Sequence, residues 1–211
     1  MPKYDLKDIL SLEKYYRVSL INKISGLKSA NLIGTKNNND ISNLAIFNSV
    51  IHIGANPPFL GFIMRPLVVD RHTYSNIKEN GYFTINQVSK EIHKEAHMTS
   101  AKFSKEISEF NECGLTDIYI DDFPAPFVKE SNVKIGLSFQ EEHLIHVNKT
   151  ILIVGRIEKI ILPDDEVKED GDIDLESLNA ISVGGLDSYY ECKRIARYEY
   201  ARANNKPKKI D

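Results

Sequence analysis

Residues 43–86 read NLAIFNSVIHIGANPPFLGFIMRPLVVDRHTYSNIKENGYFTIN, and their order decides the fold. A polar cluster opens the stretch, and residues 46–53 read as an apolar strand. Pro57 and Pro58 then impose a turn. A second strand over 59–64 ends at Arg65-Pro66, because proline supplies no N–H to a ladder. Arg71, His72 and Thr73 open a short helix over 74–79, with Thr73 as its expected N-cap and Asn80-Gly81 as its stop. Residues 82–88 alternate Phe83, Ile85 and Gln87 against Tyr82, Thr84 and Asn86, the period of a strand with unlike faces.

Working outward, residues 28–35 form a short apolar strand followed by KNNND at 36–40, whose Asn and Asp side chains favour a turn. This strand and 46–53 are therefore expected to form a hairpin. Upstream, residues 5–16 read as a short helix or a loose lead-in, and strand signals dominate from Val18. Downstream, 91–98 and 105–112 read as helices, the second stopped by Cys113-Gly114. Residues 127–140 and 150–162 are long strands joined through Glu141-Glu142-His143, and 163–172 is an acidic loop. Cys192, Ile195, Ala196 and Tyr200 have helical spacing, so 189–203 is expected to be helical. Strands outnumber helices and short turns join most of them. The expected class is mainly β with peripheral helices, an antiparallel barrel rather than a parallel sheet. Residues 1–211 are expected to form one domain, with an N-terminal lead-in and a C-terminal helical tail.

Composition narrows the function classes. The 211 residues are 42% apolar, enough for a sizeable core, and carry a formal net charge of −3. Lys206-Pro207-Lys208-Lys209 is the only basic run and reads as a solvated end, so nucleic acid is not an expected partner. Cys113 and Cys192 fit neither a CxxC nor a metal-ligand spacing, and reduced thiols are expected. The start, MPKYDLKDIL, is charged where a signal peptide needs an apolar run. No run approaches the ~20 apolar residues of a membrane span. A cytoplasmic protein is expected.

The chain lacks GxGxxG, GxxxxGK[ST] and GxSxG, so nicotinamide binding would not use a Rossmann fingerprint. His93 and His97 have the spacing of a helical metal pair, but Glu95 is misplaced for HExxH and no third ligand is evident. His143 and His146 would face opposite sides of a regular strand. No metal is expected. Two segments cluster donors suited to an anion. Arg65, Arg71 and Thr73 surround a helix start; Thr99, Ser100, Ala101 and Lys102 follow a helix end.

The order of these features resembles the flavin reductase-like FMN-binding family, from about Gly26 to Tyr190. The resemblance implies a split β-barrel of antiparallel Greek-key type. It further implies that Thr73, Ser100 and Lys102, with an arginine from the 65–71 turn, lie near an FMN phosphate. By matching position, Asn43, Phe47, Asn48 and Ser49 would run along the flavin ring, although many relatives have Ser or Thr where Asn48 stands. The segment Gly184–Tyr190 is similar to a C-terminal loop of the family, from which Tyr189 could cover the ring or pack on the barrel. With a flavin doing the chemistry, no side chain need act as acid, base or nucleophile. The expected protein is an oxidoreductase taking electrons from NAD(P)H or a redox protein and passing them to free flavin or another redox protein. The alternatives are a flavoredoxin-like electron carrier and a split-barrel module with another ligand such as haem. A two-fold homodimer is implied, with 46–53 and the Pro57-Pro58 turn as interface candidates.

Overall fold

The computed structural model describes residues 1–210. Two helices, α1 (Leu6–Ser11) and α2 (Lys14–Lys23), precede the first strand, so helix continues well past Val18, where strand had been expected. Local capping overrides the β-branched residues Val18 and Ile21. Asp5 and Asp8 form a reciprocal capping box, and the Glu13 carboxylate accepts the amides of Tyr15 and Tyr16. The strands β1 (Lys28–Ser29), β2 (Asn31–Lys36), β3 (Ser42–Phe47), β4 (Ile51–Ala55) and β5 (Pro58–Met64) follow. After them come α3 (His72–Asn80), β6 (Tyr82–Gln87), α4 (His93–Met98) and α5 (Glu109–Cys113). The rest of the chain forms β7 (Asp117–Ile118), β8 (Phe127–Val128), β9 (Lys134–Ile145), β10 (Thr150–Ile161), β11 (Ile181–Gly184) and β12 (Ser188–Glu191).

Seven strands form one sheet in the order β3-β2-β6-β9-β10-β5-β4, antiparallel at every pairing. Its two edge strands, β3 and β4, are consecutive in the chain and separated only by Asn48, Ser49 and Val50. So short a link between opposite edges requires the sheet to roll up. Ser49 makes the seam: its Oγ donates to the Ile63 carbonyl at 3.2 Å and accepts the Ile63 amide at 3.1 Å. The single strand expected at 46–53 is therefore two, broken where the barrel closes.

Strand β2 has both faces buried. Ile33 points into the barrel core of Phe62, Met64, Ile77, Phe83, Ile85, Leu137, Ile151 and Ile153. Leu32 points out, to a second cluster with Leu44, Val88, Ala96, Phe110 and Val183. The unlike faces of β6 are present, but its polar face is buried too. Thr84 Oγ1 donates to Pro126 O, and Asn86 accepts the Val128 amide while donating to Leu32 O. The buried Thr84 and Asn86 side chains thus have their partners, as burial demands.

Other expectations need correction. Glu141, Glu142 and His143 lie within β9, and the turn is at residues 146–149. The expected helix over 105–112 is only the short α5, and 127–140 divides into β8 and β9. No helix forms over 189–203. Tyr189 lies in the hairpin β11–β12, and the segment beyond is held to the acidic loop: Arg194 pairs with Asp172 at 2.9 Å and Arg197 with Asp170 at 2.7 Å. Side chains committed to that loop outweigh the helical spacing. Among the described residues, no helix is long and apolar enough to cross a membrane.

Candidate functional site

Helices α3, α4 and α5 all pack against the edge strand β3. Polar side chains dock α3: Asn76 donates to Thr35 Oγ1 at 3.0 Å and Asn80 to Lys36 O at 2.6 Å. The buried Asn43 side chain reaches Thr73 Oγ1 at 3.5 Å, so the structure brings these two candidates together. Thr73 does not cap α3. Arg71 occupies the N-cap with no side-chain cap bond, and Thr73 lies inside the first turn. Gly81, at φ 73°, ends the helix as expected.

Glu109 is a residue that sequence reasoning missed. It begins α5, is 6% exposed, and its Oε2 accepts the Leu44 amide at 3.0 Å. Beside it, Ser108 and Ser42 hydroxyls meet at 2.9 Å. An acidic residue opening a helix is common; nothing in its sequence context marks it as the cap of a strand edge 65 positions away. Burial raises its carboxyl above the usual range, opposed by the Leu44 amide, its own backbone amide and the nearby His72. A raised carboxyl favours the protonated fold. Glu109 therefore costs nothing below the ordinary glutamate pKa near ~4.3, and costs stability as pH rises through its folded pKa. Glu109→Gln keeps an acceptor for Leu44 and removes the charge. Urea midpoints from pH 4 to 8 are expected to show the variant gaining on the wild type as pH rises; parallel curves would deny the carboxyl that role.

The donor-rich segments differ in how far their groups are engaged. Arg65 is exposed and makes no ion pair among the described residues. Arg71 is partly buried, and its Nε is shut from solvent without a hydrogen-bond partner. Thr99 is buried and donates to the Ala96 carbonyl at 2.8 Å, which ends α4 and commits its proton. Ser100, Ala101 and Lys102 are exposed beyond it, the Ser100 amide bonded to His97 O at 3.0 Å. No hydrogen bond joins Ser100 or Lys102 to Arg71 or Thr73; what they share is the strand that their helices pack against.

Of the ring-lining candidates, Phe47 packs edge-on against Phe62 with centroids 4.9 Å apart, so it belongs to the barrel core. Ser49 is committed to the seam. Asn48 donates to Gly185 O at 2.7 Å, tying the end of β3 to the β11–β12 turn. Tyr189 packs on the outer cluster and on α4, its hydroxyl 2.9 Å from His97 Nδ1 and its ring 5.9 Å from that of His93. A groove of about 190 Å³ lies between α2 and the β11–β12 turn, lined by Tyr15, Lys23 and Leu186 among others. It falls short of the ~300 Å³ at which small-molecule pockets usually begin.

Residues 28–176 match the flavin reductase like domain. The chain belongs to this family. A candidate flavin reductase with a split barrel domain from Shewanella frigidimarina NCIMB 400 is 43% identical and superposes with a TM-score of 0.92, over 95% of this chain and 100% of that one. Nitrilotriacetate monooxygenase component B from Bacillus cereus superposes at 0.79 with 18% identity, covering 95% and 98% of the two chains. Flavoredoxin of Desulfovibrio vulgaris (Miyazaki F) gives 0.70 and 21%, covering 84% and 91%. The last two show a shared fold. The flavin reductase-like barrel is thus mainly β and antiparallel, with α4 and α5 on the outer face of β3, α3 on the barrel-core side, and α1 and α2 at the N-terminus.

Proposed function

We propose that this flavin reductase-like protein is an FMN-dependent oxidoreductase reduced by NAD(P)H, and that residues 1–211 act as one cytoplasmic domain. The observation that carries the reading is Arg71. A buried guanidinium nitrogen without a partner costs stability unless an anion satisfies it. It sits at the N-terminus of a nine-residue helix, where backbone amides and the helix dipole favour negative charge. The donors present suit a terminal phosphate: Arg71 at the start of α3, Arg65 after β5, and Ser100 and Lys102 beyond α4. Mixed arginine and lysine donors suit a phosphate monoester near charge −2.

When bound, FMN supplies a ring that accepts a hydride from reduced nicotinamide and passes two electrons to free flavin or a redox protein. The chain's own work is binding and orientation. Thr73 and Asn43 present a hydroxyl and an amide where α3 meets β3. The backbone of residues 48–50, outside the ladder, offers N–H groups to the ring edge. Thr99 and Ala101 act through backbone and shape: Thr99 has its proton committed to Ala96, and Ala101 has no polar side chain. Phe47 holds the strand to the core. A second copy completing the site across a two-fold axis belongs to the same reading, since β4 is an open edge with Ile51 and Ile53 exposed.

The test is anaerobic mixing of FMN-loaded protein with NADH and NADPH. Bleaching of the flavin's visible band is expected, with a Michaelis constant toward the upper part of the usual ~1 μM–1 mM range, because no Rossmann fingerprint grips the nicotinamide. The same sample should sediment near twice 24.0 kDa. Bleaching by dithionite but by neither nicotinamide would replace the enzyme with an electron carrier.

A further inference from the structure

We propose that Tyr189 is a positioning residue for the phosphate-binding turn, acting through His97; this rests on the FMN reading above. The hairpin β11–β12 contacts both halves of the candidate cradle. At its turn, Gly185 O accepts from Asn48, at the end of the ring-facing strand. Four residues on, the Tyr189 hydroxyl meets His97 Nδ1 at 2.9 Å, with the two rings edge to face at 5.8 Å. His97 lies in the last turn of α4, and its carbonyl accepts the Ser100 amide at 3.0 Å. Fixing the His97 side chain therefore fixes the residue from which the Ser100–Lys102 turn hangs.

The need for an external brace follows from the length of α4. A six-residue helix has too few internal bonds to hold its own C-terminus still. Thr99 anchors one side of that end from within, and Tyr189 anchors the other from the hairpin. Tyr189 itself is held by its packing on the outer core, while Lys23 bonds Asp187 and Ser188 at 3.0 Å just before it.

A residue that sets the phosphate turn should change affinity for the phosphate and not for the ring. Binding of FMN and of riboflavin, which lacks the phosphate, is therefore measured by fluorescence titration of the full chain. Tyr189→Phe keeps the ring packing and deletes one hydroxyl. It is expected to weaken FMN about 3- to 10-fold, the scale of one hydrogen bond, with riboflavin unchanged. His97→Gln should give the same selective loss, and the double variant no further loss, because both remove one interaction. Equal losses for FMN and riboflavin, or none in either single variant, would overturn the role of Tyr189. Wild-type protein binding FMN no better than riboflavin would instead remove the phosphate reading, and this inference with it.

Discussion

Replacing Arg71 by Met and Lys102 by Ala together is expected to weaken FMN binding by about 100-fold or more while leaving the ligand-free fold at least as stable. Each charge-assisted hydrogen bond contributes roughly 1.5–3 kcal/mol, so two independent losses sum to about 3–6 kcal/mol, or ~10²–10⁴ in affinity. The two side chains stand on separate elements with no bond between them, which favours additivity. The stability half of the prediction separates function from structure. Arg71 Nε is buried and unpartnered, so Met, which keeps an unbranched stem, removes a penalty rather than a bond. Isothermal titration of each single variant and the pair, with urea melts of the ligand-free proteins, reads both halves. Unchanged affinity in the pair would move the phosphate elsewhere. A marked loss of ligand-free stability in Arg71→Met would make Arg71 a structural residue.

The largest expected effect on stability is at Phe83. Its side chain is fully buried in the barrel, edge-on to Phe62 at 5.7 Å. Phe83→Ala is expected to cost about 3–5 kcal/mol, from lost transfer energy and the cavity left behind. Gly155 on β10 explains how the ring fits. A Cβ there would stand 2.5 Å from Phe83 Cζ, so the strand runs bare over the aromatic. Gly155→Ala alone should destabilise by overpacking, about 1–3 kcal/mol. In the Phe83→Ala background the added methyl meets no ring, and its cost should largely vanish. A double-mutant cycle of urea midpoints measures that coupling, and simple additivity would show that ring and glycine do not oppose each other.

The contrast between these positions explains what the sequence discloses. Alternation in residues 82–88 identified β6, because the outward Thr84 and Asn86 are polar although buried. Gly81 and Gly114 marked helix ends correctly, since their positive φ is a local demand. The break at residues 48–50 was not legible: Val50, Ile51 and Ile53 continue an apolar run, and only closure of the sheet, a long-range event, interrupts it. The tail misled for the same reason. Helical spacing from Cys192 to Tyr200 is local, whereas the partners of Arg194 and Arg197 lie more than twenty residues upstream. At the site, Asn43, expected along the ring, lies 3.5 Å from Thr73, expected near the phosphate, while Phe47 and Ser49 are held by the barrel itself. Glu109 was invisible because its partner is a backbone amide, which carries no residue identity.

The three-residue seam has a consequence for how the protein balances rigidity against binding. A barrel closed by a full ladder would spend its backbone groups on itself. This one closes through one serine hydroxyl, and residues 48–50 stay outside the ladder. A ligand that hydrogen-bonds there would act as a missing piece of strand, satisfying backbone and joining the end of β3 to β5 at once. Occupancy and mechanical closure would then be one event. The gain in global stability on binding would be set by ligand concentration over dissociation constant, and its local signature would be slowed amide exchange on both β3 and β5.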